Sequence, residues 1–242
     1  MDREQLFDED YLYFYEDLLT DEQSDTETEL IWRLLELEPG MEVLDLACGH
    51  GRIANRLAER GARVTGLDAT PLFLERARAD AEARGVDVDY VEGDMRELPW
   101  ESRFDRIVNW FTAFGYFDDD EEDRRVLHAA HRALRPGGRL LIENNNTAEL
   151  LGRWQPSAVV ERDGNLMIDR SRFDPVSGRA TTERVIVRDG TTRRVRFSVR
   201  MFVAVELGAW LRDTGFSAVD FFDRQGEPLT VESRRMVTVA RR

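Results

Sequence analysis

Three aspartates stand where apolar runs of the sequence end: Asp45 in V-L-D-L, Asp68 in V-T-G-L-D and Asp94 in V-E-G-D-M. Carboxylates at the carboxyl ends of strands face the crevice in which open α/β sheets bind ligands. Between the first two lies A-C-G-H-G-R, and its Gly49-x-Gly51-x-x-Ala54 spacing satisfies the fingerprint of a dinucleotide loop. Asp68 follows Gly49 by nineteen residues, the separation at which a carboxylate accepts hydrogen bonds from a ribose diol. That position alone serves any nucleoside cofactor, NAD included.

Charge separates the candidates. A pyrophosphate would bring two negative charges to a rim of three carboxylates, with Arg52 the nearest cation in sequence. S-adenosylmethionine presents instead an ammonium, a sulfonium, a ribose diol and an adenine amino group, which suit an acidic rim better.

Composition sets the outer limits. The chain has 242 residues, enough for one large α/β domain carrying an insertion. Its net charge of −14 opposes a phosphate backbone and an anionic membrane surface, so neither nucleic acid nor membrane is an expected partner. All 34 basic residues are arginine, as expected of a GC-rich or salt-adapted genome. The single cysteine, Cys48, excludes an internal disulfide framework. The acidic start lacks the regions of a signal peptide, and no apolar run approaches membrane-span length, so a cytoplasmic protein is expected.

These residues require elements to hold them. Residues 30–37 follow a helical pattern stopped by Pro39-Gly40, and 41–46 form an apolar strand. A helix over 51–60 ends at Gly61, a strand over 63–67 follows, and the helix opened by Pro71 ends at Gly85. Strands at 86–91, 104–109 and 139–143, with a helix over 118–134, continue the alternation that marks a doubly wound parallel sheet. After Asn146 the pattern changes to short β-rich runs at 158–161, 166–173, 180–187 and 192–199, divided by Asp163-Gly164 and Asp189-Gly190 turns. A helix over 206–213 and strands at 217–222 and 235–240 return to the sheet.

Taken together, V-L-D-L-A-C-G-H-G, V-T-G-L-D, V-E-G-D-M and L-R-P-G-G-R-L-L-I closely resemble the motifs of the class I S-adenosylmethionine-dependent methyltransferases, with Ala47 where the first glycine usually stands. The resemblance is strong over residues 30–146 and implies a Rossmann-like, mostly parallel seven-stranded α/β sheet with a C-terminal antiparallel hairpin. The β-rich antiparallel insertion follows strand five. Residues 1–29 become an N-terminal lid segment, 30–146 the cofactor-binding core, 147–205 an insertion that caps the acceptor or forms a homodimer interface, and 206–242 the return to the sheet.

The resemblance also implies roles. Gly49 and Gly51 would let backbone approach the methionine moiety, Asp45 would orient the loop or meet the ammonium, and Arg52 would pair the carboxylate or face solvent. Asp68 would bind the ribose, Asp94 the adenine amino group, and Met95 the ring face, with Ala47, Ala69 and Asn109 completing the cofactor set. Acceptor-binding residues in this family follow strand four, where Trp110, Phe111, Phe114, Tyr116 and Phe117 form an aromatic wall or part of the core. That segment lacks an N-P-P-Y type sequence, which weighs against a nucleobase amino group. His50, Tyr11 and Tyr13 are the nominees for a catalytic base, and the His128/His131 pair has no partner of metal-ligand spacing, so no metal is expected. The expected activity is methyl transfer from S-adenosylmethionine to a small molecule, at N or O rather than C. The alternatives are an NAD-dependent oxidoreductase and a non-catalytic S-adenosylmethionine-binding regulator.

Overall fold

The computed structural model describes residues 6–242. Seven strands form one sheet: β1 (Glu42–Leu46), β2 (Arg63–Asp68), β3 (Val88–Glu92), β4 (Phe104–Asn109), β5 (Leu134–Asn145), β10 (Ala218–Phe222) and β11 (Arg235–Arg241), in the order β10-β11-β5-β4-β1-β2-β3. All neighbours are parallel except β11, which runs antiparallel to both β5 and β10. Strand order reverses between β1 and β4, and there the carboxyl ends diverge into a ligand crevice.

Helices cover both faces. Helices α2 (Asp21–Leu34), α3 (Arg52–Glu59) and α4 (Pro71–Arg84) close one face over Leu30, Ile31, Leu57 and Leu74. Helices α5 (Asp120–Ala133) and α7 (Ala204–Thr214) close the other over Leu127, Leu211 and Phe216. Strand β5 begins at Leu134, ahead of the Pro136-Gly137-Gly138 turn, because Leu134 already pairs with Phe104 before a bulge. None of the helices among the described residues is long and apolar enough to cross a membrane.

The second sheet is an antiparallel meander of β6 (Ser157–Arg162), β7 (Asn165–Asp174), β8 (Arg179–Arg188) and β9 (Thr191–Arg200), entered through the short helix α6 (Thr147–Gly152). Its inner face also carries helix α1 (Glu9–Tyr15). Phe14 packs on Met167 and Ile186, and Asp10 pairs with Arg188 at 2.9 Å and with Arg193 at 2.7 Å.

The lid boundary expected after residue 29 falls inside a helix. Thr20 caps α2 by accepting from the Gln23 backbone N–H, so the helix runs unbroken from Asp21 to Leu34. Its polar first half is bound to α3, with Arg56 paired to both Asp21 and Asp25. Residues 1–5 of the expected lid lie outside the described residues.

Candidate functional site

The loop from β1 to α3 turns through three left-handed residues, Ala47 at φ 59°, Gly49 at φ 56° and Gly51 at φ 79°. Asp68, at the end of β2, pins this loop by accepting from the Gly49 N–H at 2.8 Å while its other oxygen accepts from the Thr70 N–H at 2.9 Å. One carboxylate thus fixes both turns at the edge of the crevice. Gly51 has a packing role rather than a ligand-facing one: a Cβ there would stand 2.2 Å from the Tyr90 hydroxyl and 2.8 Å from the Ala77 Cβ. Its missing side chain lets α3 start against α4 and β3.

Asp45 is buried, and burial pushes its carboxyl up to about 7, with Asp68 adding to the rise and Arg52 opposing it. Its Oδ2 has no hydrogen-bond partner. Arg52 is also buried, which removes its solvent-facing alternative. Its Nη1 is bonded to Glu27 and Ser24, but its Nη2 has no partner. A free buried acceptor and a free buried donor at the two ends of one loop are complementary to an α-ammonium and an α-carboxylate, the two charged groups of a methionine moiety. The residues present therefore fit S-adenosylmethionine.

Both residues line a cavity of about 550 Å³ that runs from the glycine loop to the inner face of the insertion sheet. At the loop end it is lined by Asp45, Ala47, Gly49, His50, Arg52, Asp68, Ala69 and Met95, all anticipated from the sequence. Phe73 of α4 and Thr70 also line it and were not anticipated. Asp94 stands apart: it does not line the cavity, and its carboxylate is engaged by Arg96, which reaches on to Glu122. Asn109 is likewise buried away from the cavity, donating to the Leu46 carbonyl at 2.8 Å.

The aromatic run after β4 divides. Trp110, Phe111 and Tyr116 line the cavity, whereas Phe114 and Phe117 turn into the core, Phe114 stacked on Phe202 and Phe117 beneath the Arg96 guanidinium. The division follows from the backbone. Phe111 (φ 64°) and Thr112 (φ 56°) are consecutive non-glycine residues in the left-handed region, a conformation that persists only where its surroundings enforce it. Buried Glu143 does so by accepting from the Phe111 N–H at 3.0 Å, and Arg235 binds both Glu143 and the Thr112 hydroxyl.

Helix α1 supplies a second aromatic wall. Tyr11 and Tyr15, four residues apart, share its cavity face and stack at 4.4 Å, while Phe7 contacts Phe73 and Tyr116 edge-on. Tyr13 lies on another face of the helix. Its hydroxyl meets the β6–β7 turn, donating to the Arg162 carbonyl at 3.0 Å, so it is no candidate base.

The other two nominees reach the cavity but are poor bases. Burial pushes His50 down to about 4, leaving it neutral, and burial drives the Tyr11 hydroxyl well above its ordinary range. The insertion adds a third wall with the period of two expected of strands: Asp169 and Ser171 from β7, Ala180, Thr182 and Arg184 from β8, Phe197 and Val199 from β9. None of these was identified from the sequence; alternation was visible, but which parity faced inward was not.

The methyltransferase domain family matches residues 43–138. The cypemycin N-terminal methyltransferase of a Streptomyces species is 30% identical over 211 residues, covering 84% of each chain. The demethylmenaquinone methyltransferase of Thermus thermophilus is 40% identical over 124 residues, which span 47% of this chain and 54%, about half, of that enzyme. In fold, the chain matches an S-adenosylmethionine-dependent methyltransferase from Clostridium acetobutylicum with a TM-score of 0.81, over 96% of this chain and 97% of that one at 16% identity. An NAD-dependent oxidoreductase is set aside by these relationships. With the motifs on β1 and β2, the loop they hold and these relatives in agreement, the chain belongs to the class I S-adenosylmethionine-dependent methyltransferases.

Proposed function

We propose that the protein methylates a neutral amine of a small-molecule acceptor bound between the aromatic walls and the insertion sheet. The observation that carries this reading is the pair of unpartnered buried atoms, Asp45 Oδ2 and Arg52 Nη2, at one end of a cavity that continues into a separate chamber. When bound, S-adenosylmethionine would supply an electrophilic sulfonium methyl group to the acceptor nitrogen, with S-adenosylhomocysteine as the leaving group and the methylated amine carrying its surplus proton out of the site.

The residues divide the remaining work. Asp45 and Arg52 hold the charged ends of the methionine moiety, Asp68 accepts from the ribose, and Met95 packs on the adenine. Tyr11, Tyr15 and Phe111 exclude water and confine the acceptor to an in-line approach. A neutral amine needs no base to react, whereas a hydroxyl does. With His50 held neutral at a low pKa and Tyr11 and Tyr116 pushed high by burial, the chamber suits the amine. The relative that is 30% identical is named for an N-terminal methyl transfer, which agrees.

The test is a calorimetric titration with S-adenosylhomocysteine, with NAD as comparator, on the wild type and on Asp68→Ala, followed by methyl-transfer assays on benzylamine and phenol. Binding of the nucleoside alone, weakened in the variant, with transfer to benzylamine, supports the proposal. Transfer to phenol instead rejects the amine, and failure to bind S-adenosylhomocysteine rejects the site.

A further inference from the structure

The inner face of the insertion sheet carries a polar stripe on the rim of an otherwise aromatic chamber. In the β7–β8 register Asp169 lies opposite Arg184 and Ser171 opposite Thr182, and all four side chains line the cavity. Asp169 and Arg184 meet as two parallel hydrogen bonds of 2.8 Å each, and the Ser171 and Thr182 hydroxyls are 2.8 Å apart. The stripe is fixed from above, since the Tyr15 hydroxyl contacts Arg184 Nη2 at 3.1 Å and the guanidinium lies over the Phe197 ring at 5.2 Å.

From this arrangement we infer that the stripe recognises ring hydroxyl groups, and that the acceptor is an amine borne on a polyhydroxylated, sugar-like ring. The inference rests on the methyltransferase reading of the same cavity. The fork of Asp169 and Arg184 is neutral as a pair, so it offers a charged acceptor group little net attraction. A carboxylate oxygen in such a fork keeps a lone pair, and paired hydroxyls keep both donor and acceptor capacity. A hydroxyl group, itself donor and acceptor, satisfies either kind of partner.

An apolar ring would displace water from the spare donor and acceptor capacity that these four groups keep beyond their mutual bonds, and return nothing for it. A planar aromatic acceptor would fit the tyrosine and phenylalanine faces but leave the stripe unmatched. A hydroxylated ring matches both, its C–H face lying on the aromatic side chains of Tyr15 and Phe197 and its hydroxyl edge on the stripe.

The experiment compares D-glucosamine with cyclohexylamine, each a six-membered ring bearing one primary amine, as methyl acceptors of the full chain. S-adenosylhomocysteine affinity is measured alongside. The wild type is expected to favour glucosamine by at least about tenfold in kcat/KM, a floor for the discrimination that a site built to hydrogen-bond a substrate hydroxyl imposes on an analogue lacking it. In Ser171→Ala/Thr182→Val the preference is expected to collapse through KM for glucosamine while S-adenosylhomocysteine still binds; should that double variant fail to fold, Ser171→Ala alone serves.

Equal or reversed preference in the wild type overturns the inference. So does a preference that survives the substitutions, and so does methylation of neither amine by protein that binds S-adenosylhomocysteine. If cyclohexylamine alone is methylated, this inference falls and the proposed amine chemistry stands. If the wild type does not bind S-adenosylhomocysteine, the methyltransferase reading itself has failed.

Discussion

At the glycine-loop end of the cavity two buried polar atoms, Asp45 Oδ2 and Arg52 Nη2, have no protein partner. At the insertion end the corresponding charges, Asp169 and Arg184, are already joined to each other. The first end is complementary to a ligand of fixed charge, and its shape is set by backbone turns that Asp68 ties down. The second is complementary to neutral hydrogen-bonding groups, and its shape is set by side chains standing on strands.

The largest test of that contrast is Glu27→Ala. Glu27 is buried between Arg52, Arg224 and the Trp110 indole N–H, which it accepts at 2.9 Å. Its removal strands buried cations and is expected to lower stability by about 3–5 kcal/mol in urea unfolding. Because Arg52 also loses its orientation, S-adenosylhomocysteine affinity should fall with it; unchanged affinity would show that Arg52 does not hold the cofactor.

Asp68→Ala acts on the cofactor end directly. It removes a charged acceptor and frees the loop N–H groups, so calorimetry should record a loss of about 2–3 kcal/mol in S-adenosylhomocysteine binding. The same substitution should leave the Asp169–Arg184 fork in place, and a crystal structure of the variant would check this.

Protonation sharpens the comparison further. Asp45 titrates near 7 because its burial disfavours the charged form. Between its ordinary pKa and that value the folded state holds a proton that the unfolded chain has released, so this group makes the protein less stable as pH rises through that window. Binding an ammonium favours the ionised carboxylate, so S-adenosylhomocysteine affinity should increase about tenfold from pH 6 to pH 8. In Asp45→Asn that slope should disappear.

The smallest effect is expected at the docking of α1. Asp10→Asn weakens its pairs with Arg188 and Arg193, and for partly exposed charges the change should stay below about 1 kcal/mol. Thermal unfolding at low and high salt would check it, the difference between wild type and variant shrinking as salt is added.

How much of this was legible in the sequence follows the same division. The parallel core was written in apolar runs punctuated by Gly61, Gly85 and Pro71, and the loop-end residues stood at recognisable spacings. The start of α2 was legible too, since Thr20 and Gln23 form a capping pair, but the acidity of residues 21–29 concealed it until their arginine partners on α3 were in view. Tyr11 and Tyr15 share a helical face that excludes Tyr13, which the spacing alone could have supplied. The sorting of Phe114 and Phe117 from Trp110, Phe111 and Tyr116 depends on left-handed backbone at Phe111 and Thr112, which no local pattern announces. Glu143, which enforces that backbone, looks in sequence like any other acid.

The docking of α1 on the insertion has a consequence for the order in which the protein is made. Asp10 is separated from Arg188 by 178 residues, whereas the glycine loop and the carboxylates proposed to meet the cofactor all lie between Asp45 and Met95. On a chain emerging from the ribosome, the turn that Asp68 closes forms from contacts nineteen residues apart. The Phe14 side of helix α1 has to wait, uncovered, until the strands of the meander arrive. The insertion wall of the cavity is thus raised well after the glycine loop, and a chain truncated before β7 would keep that loop without the wall that faces it.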